Sequence, residues 1–231
     1  MSLARVIVAL DVATLEEAQR LLGRLPGAPR VKVGLELWAA AGARAVEAAR
    51  AAGARVFLDL KLHDIPETVA RAVRVLGALG ADMLTVHAAG GRAMLAAAVA
   101  AARALPEPPR ILAVTVLTSL DGHDLLETGC DGSPAELVVK RAVLAHAAGV
   151  DGVVCSPHEA ALVRAAIAAP FLIVTPGVRV AGGAAADQKR VASAAEAVRA
   201  GATHVVVGRP VRDAADPAAA LAALAAEIAS A

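Results

Sequence analysis

Aromatic side chains are almost missing from this sequence: of 231 residues one is Trp, two are Phe and none is Tyr. Proteins that hold single-stranded nucleic acid stack bases on such rings, and binders of either form add a basic surplus. With a net charge of +1 the chain offers neither, so no nucleic-acid partner is expected. Cysteine is nearly as scarce, and Cys130 and Cys155 lie apart in no metal-like or redox-like spacing. The expectation is a reduced, cytoplasmic protein with no disulfide. Arg, Glu or Gly interrupts every Ala-rich run, so no segment suits a membrane span, and the N-terminal apolar stretch is too short for a secretory signal. No G-x-G-x-x-G follows the first apolar run, which counts against a dinucleotide fold. The six histidines form no H-x-H or H-E-x-x-H pattern.

What remains is 58% hydrophobic and long enough for one large α/β domain. Short runs rich in Val, Ile and Leu predict strands over Arg5–Leu10, Arg30–Val33, Ala54–Leu60, Asp82–Val86, Arg110–Leu117, Gly152–Cys155, Phe171–Thr175 and His204–Gly208. Ala-rich stretches with helical spacing predict helices over Leu15–Leu25, Leu37–Ala52, Ile65–Leu79, Gly91–Leu105, Ser133–Ala148, Pro157–Ile167, Ala194–Ala200 and Pro217–Ala229. Gly53, Gly80 and Gly149 are placed to end three of them. Strict alternation without a linker points to a single (β/α)8 TIM barrel spanning 1–231 rather than an open doubly wound sheet. The longest irregular stretch, Pro176 to Gln188, follows the seventh strand and is a candidate lid.

The third strand carries the sharpest signal. Residues two apart on a strand point the same way, so in Phe57-Leu58-Asp59-Leu60-Lys61-Leu62-His63-Asp64 the pair Asp59 and Lys61 shares one face, and Leu58, Leu60 and Leu62 take the other. Asp64 follows where the strand breaks before Ile65-Pro66. Such a row is costly if buried without a purpose and useless if fully solvated, so it reads either as a structural ion-pair network or as a site.

Catalytic groups of this architecture stand at strand C-terminal ends, and phosphate binds between loops seven and eight. Polar residues recur there: Asp11 after strand one, Lys32 on strand two, Thr118-Ser119 after strand five, Arg179 and Gln188 after strand seven, and Gly208-Arg209 after strand eight. Asp11 alone also suits a turn or a helix start, and Lys32 an ordinary strand edge, although its strand must be covered on both faces. Gly208-Arg209-Pro210, opening the last helix, suits a phosphate through close backbone approach and a bidentate guanidinium, or is simply a turn with a surface Arg. His87 closes strand four and reads as a hydrogen-bonded barrel-end residue. A metal could be held only by Asp59 and Asp64, where Lys61 and Lys32 already supply positive charge, so metal-free chemistry is expected.

These motifs resemble the orotidine 5′-phosphate decarboxylase family nearly end to end. The resemblance runs through Ala9-Leu10-Asp11, Lys32-Val33-Gly34, Asp59-x-Lys61-x-x-Asp64-Ile65-Pro66-x-Thr68-Val69, Thr115-Val116-Leu117-Thr118-Ser119, Thr175-Pro176-Gly177-Val178-Arg179, Asp187-Gln188-Lys189-Arg190 and Val207-Gly208-Arg209-Pro210. The family pattern departs at Val180, where proline is common, and at Ser193-Ala194, where Thr-Pro often begins the seventh helix. The resemblance implies decarboxylation of the pyrimidine at C6 without a cofactor. It implies Asp59 against the substrate carboxylate, Lys61 as electrostatic stabiliser and proton donor, Lys32 and Asp11 on the ribose hydroxyls, and Thr118 on the base edge. Gly208, Arg209, Gln188 and Arg179 would bind the phosphate. Asp64, Ile65 and Thr68 would reach the neighbouring subunit's site in a homodimer. Two rivals use the same scaffold: a Mg²⁺-dependent hexulose-phosphate synthase or keto-gulonate-phosphate decarboxylase, with an acidic ligand where this chain has Lys32, and a non-catalytic sugar-phosphate-binding barrel.

Overall fold

Eight runs of mostly Val, Ile and Leu form parallel strands, and the apolar stripes of the intervening helices cover them. The computed structural model describes residues 3–27, 29–179 and 192–231, with the side chains of Val178 and Arg179 excepted. The strands are β1 (Val6–Ala9), β2 (Arg30–Val33), β3 (Arg55–Leu62), β4 (Met83–His87), β5 (Arg110–Val114), β6 (Gly152–Val154), β7 (Leu172–Thr175) and β8 (His204–Val207). Each pairs with its chain neighbours, and β8 returns to β1 with Val6 beside Val205, closing a (β/α)8 barrel.

The helices are α1 (Leu15–Leu22), α2 (Leu35–Ala41), α3 (Ala43–Ala51), α4 (Pro66–Gly77), α5 (Gly91–Arg103), α6 (Gly122–Glu127), α7 (Pro134–Ala147), α8 (Pro157–Ala166), α9 (Ala194–Arg199), α10 (Arg209–Arg212) and α11 (Pro217–Ala229). Their starts are chemically marked. Thr14 caps α1, Asp216 caps α11, and Ser133 and Ser193 form capping boxes with Glu136 and Glu196. Ser193 thus supplies the start of α9 by itself.

Strand parity sorts the side chains into two cores. Ile7, Ala9, Phe57, Met83, Leu112, Leu172, Val174 and Val206 fill the barrel interior, while Val8, Val31, Val33, Val56, Leu58, Leu84 and Ile111 join the larger layer under the helices. At the N-terminal end the inward parity passes to Arg30, Arg55, Arg110 and His204. Asp82 pairs with both Arg30 and Arg55. Arg30 is pulled down to about 10, first by burial and then by Arg55 and Arg110. The barrel interior is therefore apolar at its waist and charged at both ends.

Several boundaries differ from the expected ones for local reasons. Gly42 adopts φ +55° and splits the long second helix into α2 and α3. β3 extends to Leu62, β5 stops at Val114, and Asp82 serves the ion pairs just before β4. The segment Gly208–Pro210 opens the four-residue α10, whereas the last helix starts separately at Pro217. α6 and a short parallel pairing of 178–179 with 192–193 add to the expected set. Gly53, Gly80 and Gly149 do follow their helices, all with positive φ. Cys130 and Cys155 form no disulfide.

His204 sits among these base arginines, and its pKa falls from 6.5 to about 4, first through burial and then through Arg30, Arg110, Arg5 and Arg55. The ring is neutral in the folded protein, so between pH 6.5 and 4 the unfolded chain binds the extra proton and acid weakens the fold. His87, also lowered to about 4, acts in the same direction. A melting temperature that drops across this window is expected, with a shallower drop in His204→Gln; an equal slope in the two proteins would refute the assignment.

Candidate active site

The C-terminal ends of β1 to β4 lie side by side, which brings residues far apart in sequence into one line of charge. Lys32 Nζ stands 2.8 Å from Asp11 Oδ1 and 3.8 Å from Asp59 Oδ2, and Lys61 Nζ stands 2.9 Å from that same Asp59 oxygen. The order is carboxylate, ammonium, carboxylate, ammonium. Side-chain exposure is lowest at Asp59 and Lys32, 11% and 13%, and rises to 31% at Lys61 and 44% at Asp11. Burial of this kind is tolerable only because every charge faces an opposite one. Network and candidate site are the same object.

The line depends on an irregularity in β3. Leu58 pairs with Leu84 and Leu62 with Val86, so four residue steps on β3 run against two on β4. Within the excess, Lys61 takes φ +53°, the only positive φ outside glycine among the described residues. That conformation costs roughly 1–2 kcal/mol for an L-residue. It is held by Thr85 on β4, whose Oγ1 accepts from the Lys61 N–H at 2.8 Å and donates to Asp59 Oδ1 at 3.0 Å. Leu58, Leu60 and Leu62 keep to the helix-facing layer, as the alternation predicts.

Two further supports stand behind Lys32 and Asp11. A Cβ on Gly34 would lie 2.8 Å from Lys32 Nζ and 3.2 Å from Asp11 Oδ1, so the glycine leaves room for the pair. Arg212, on α10, donates to the Asp11 carbonyl at 2.5 Å and ties the end of β8 to the end of β1. Gly208 is close as well: a Cβ there would lie 3.9 Å from Asp11 Oδ2. Arg209 follows it, exposed on α10.

Asp64, Ile65 and Thr68 are not gathered into this line. All three are exposed around the start of α4, and Asp64 accepts from the Ile65 N–H at 2.6 Å while forming no ion pair among the described residues. The tight three-charge set read from β3 is therefore a pair within one chain, because Asp64 lies past the strand end. Thr118 is half-buried in the loop after β5. Gln188 and most of the candidate lid lie outside the described residues, as does the side chain of Arg179.

His87 differs from its expected role. Its Nδ1 is buried without a hydrogen-bond partner among the described residues, and the ring instead stacks on His63 at 5.2 Å between centroids. Among the described residues no three His, Cys, Asp or Glu side chains gather as a metal-ligand set. Thr85 and Arg212 are supports that motif reading passed over, and Gly34 stood in the Lys32-Val33-Gly34 motif without a role. For Thr85 the signal was a hydroxyl on the inward parity of β4, between Met83 and His87.

A family model described as orotidine 5′-phosphate decarboxylase / HUMPS family matches residues 4–224. Orotidine 5′-phosphate decarboxylase of Moorella thermoacetica is 54% identical over 97% of this chain and 92% of its own length. That of Anaeromyxobacter sp. (strain K) is 56% identical over 96% and 97%. A crystal structure of orotidine 5′-phosphate decarboxylase from Lactobacillus acidophilus, 38% identical, superposes with a TM-score of 0.87 over 97% of this chain and 99% of that one.

Gly34→Ala tests the packing behind the charge line. The Lys32 terminus is flexible and yields to the new methyl, so the melting temperature is expected to move by no more than about 4 °C. The 2.8 Å contact of Lys32 with Asp11 is expected to be lost in a crystal structure of the variant.

Proposed function

This chain belongs to the orotidine 5′-phosphate decarboxylase / HUMPS family, and from that premise we propose that its barrel mouth converts orotidine 5′-phosphate to UMP and CO₂, the last step of de novo pyrimidine nucleotide synthesis. The observation that carries the site assignment is the buried Asp59 carboxylate with one oxygen facing both Lys61 and Lys32. In this reading the substrate carboxylate is seated against Asp59, and repulsion between the two anions raises the ground state. The C6–carboxyl bond breaks, CO₂ departs, and the electron pair stays on C6 as a vinyl-type carbanion. Lys61 stabilises that developing charge and then gives C6 a proton, becoming a neutral amine that solvent reprotonates. In this reading Lys61 supplies both the charge stabilisation and the proton, so the step balances without a cofactor as electron sink.

Binding energy from the far end of the substrate must offset the repulsion. We assign the phosphate to Gly208 and Arg209 with Arg179 and Gln188, the ribose hydroxyls to Lys32 and Asp11, and the base edge to Thr118. The nearness of Gly208 to Asp11 supports a ligand that spans from the end of β8 to the end of β1. We read residues 1–231 as one catalytic domain working in the cytoplasm as a homodimer with shared sites. Ile65 supports the dimer, since 67% of its surface is exposed in the single chain, next to the exposed Asp64 and Thr68. In that assembly these three residues complete the partner's pocket.

The sugar-phosphate reading requires an acidic metal ligand on the second strand. Lys32 stands there instead, 2.8 Å from Asp11. The expected outcomes are loss of the orotidine 5′-phosphate absorbance with the parent protein, and near-total loss of turnover in Lys61→Ala with fold and UMP binding retained. Wild-type-like turnover in that variant would sink the mechanism. Turnover is also expected to survive exhaustive chelation, and a loss restored only by Mg²⁺ would favour the sugar-phosphate reading.

A further inference from the structure

We propose that Thr85 is a positioning residue for the decarboxylation, holding Asp59 and Lys61 in their reacting arrangement through one hydroxyl. This rests on the reading of Asp59 and Lys61 as the groups that act on the substrate. Thr85 is fully buried in β4, opposite the place where β3 carries its excess residues. A regular parallel ladder sends each strand N–H to a carbonyl of its neighbour. Here the Lys61 N–H ends on a side chain instead, at 2.8 Å from Thr85 Oγ1.

That contact settles the direction of the next one. A hydroxyl oxygen that accepts from a backbone N–H still has its own proton to give, and the acceptor within reach is Asp59 Oδ1 at 3.0 Å. The two oxygens of Asp59 are thereby given different work. Oδ1 is held by a neutral donor in the barrel wall, and Oδ2 faces Lys61 Nζ at 2.9 Å and Lys32 Nζ at 3.8 Å. The carboxylate cannot rotate toward solvent, or away from an approaching anion, without giving up its bond to Thr85. On the other side, the same hydroxyl retains the Lys61 backbone at φ +53°, and this backbone sets where the ammonium points. One oxygen thus couples the group that repels the substrate carboxylate to the group that protonates C6.

Valine has the shape of threonine without the hydroxyl, and Thr85→Val leaves the Lys61 N–H and Asp59 Oδ1 both unsatisfied. With the pair free to drift by about 1 Å, kcat is expected to fall about 100-fold. KM for orotidine 5′-phosphate and the affinity for UMP are expected to stay near the parent values, because phosphate and ribose are gripped elsewhere. Thr85→Ser, which keeps the hydroxyl and loses the methyl, is expected to restore most of the turnover. A hydroxyl with only a structural part would show a different pattern: a lowered melting temperature with kcat unchanged. That result in Thr85→Val, or a loss in Thr85→Ser as deep as in Thr85→Val, overturns the proposal. If Thr85→Val does not fold, Thr85→Ala takes its place, since a deep loss of kcat that Thr85→Ser does not share supports the role of the hydroxyl and an undiminished kcat refutes it. An inactive parent protein would overturn the functional reading, and the role of Thr85 with it; an active parent with an undiminished Thr85→Val overturns the role of Thr85 alone.

Discussion

A carboxylate inside the mouth of a barrel must be compensated, and the arrangement of β1 to β4 follows from how Asp59 is compensated. Moving such a group out of water costs several kcal/mol unless opposite charge and hydrogen bonds replace the lost hydration. Lys61 and Lys32 supply the charge and Thr85 the neutral hydrogen bond. Each of these comes from a different strand or from a distorted one. The left-handed backbone at Lys61, unfavourable by itself, is accepted because it brings the ammonium and the Thr85 hydroxyl to the same carboxylate. Lys32, pulled between two carboxylates, extends the compensation outward to Asp11.

The rest of the barrel keeps this line of charge apart from a second one. Inward parity carries apolar residues at the waist, where Phe57, Met83, Leu112 and Leu172 meet. At the base the same parity carries Arg30, Arg55, Arg110 and His204. The apolar waist keeps the base arginines away from the carboxylates of the mouth, so each end settles its own electrostatics. The base does so with Asp82 and a neutral His204, the mouth with alternating lysine and aspartate. Around the mouth, Arg212 at the end of α10 donates its guanidinium to the Asp11 carbonyl and its backbone N–H to the Gly208 carbonyl, so it ties the backbone at the end of β1 to the backbone at Gly208.

The strands were legible because a buried parallel sheet requires runs of branched apolar residues, and β2 coincides with its expected span. Two helix starts lie within one residue of the expected ones, at Pro134 and Pro217, where the structure shows Ser133 and Asp216 as caps. Short elements were not. The six-residue α6 rests on a capping box between Asp121 and Asp124 rather than on a periodic stripe, and α10 is too short to show a period at all. The break at Gly42 looked like continuous helix because alanine on both sides preserves the spacing.

By itself the sequence determined the barrel, the strand ends where charged and polar residues recur, and the shared face of Asp59 and Lys61. All of these follow from the period of two along a strand and the alternation of element types. Only the tertiary structure decided which charges meet. It set Lys32 between Asp11 and Asp59, left Asp64 outside the line, and brought Thr85 against the backbone of Lys61. The physical reason is that strand parity is a property of each strand alone, whereas register and a local excess of residues are properties of a pair. The encounter of a β4 hydroxyl with a β3 amide is written in neither strand.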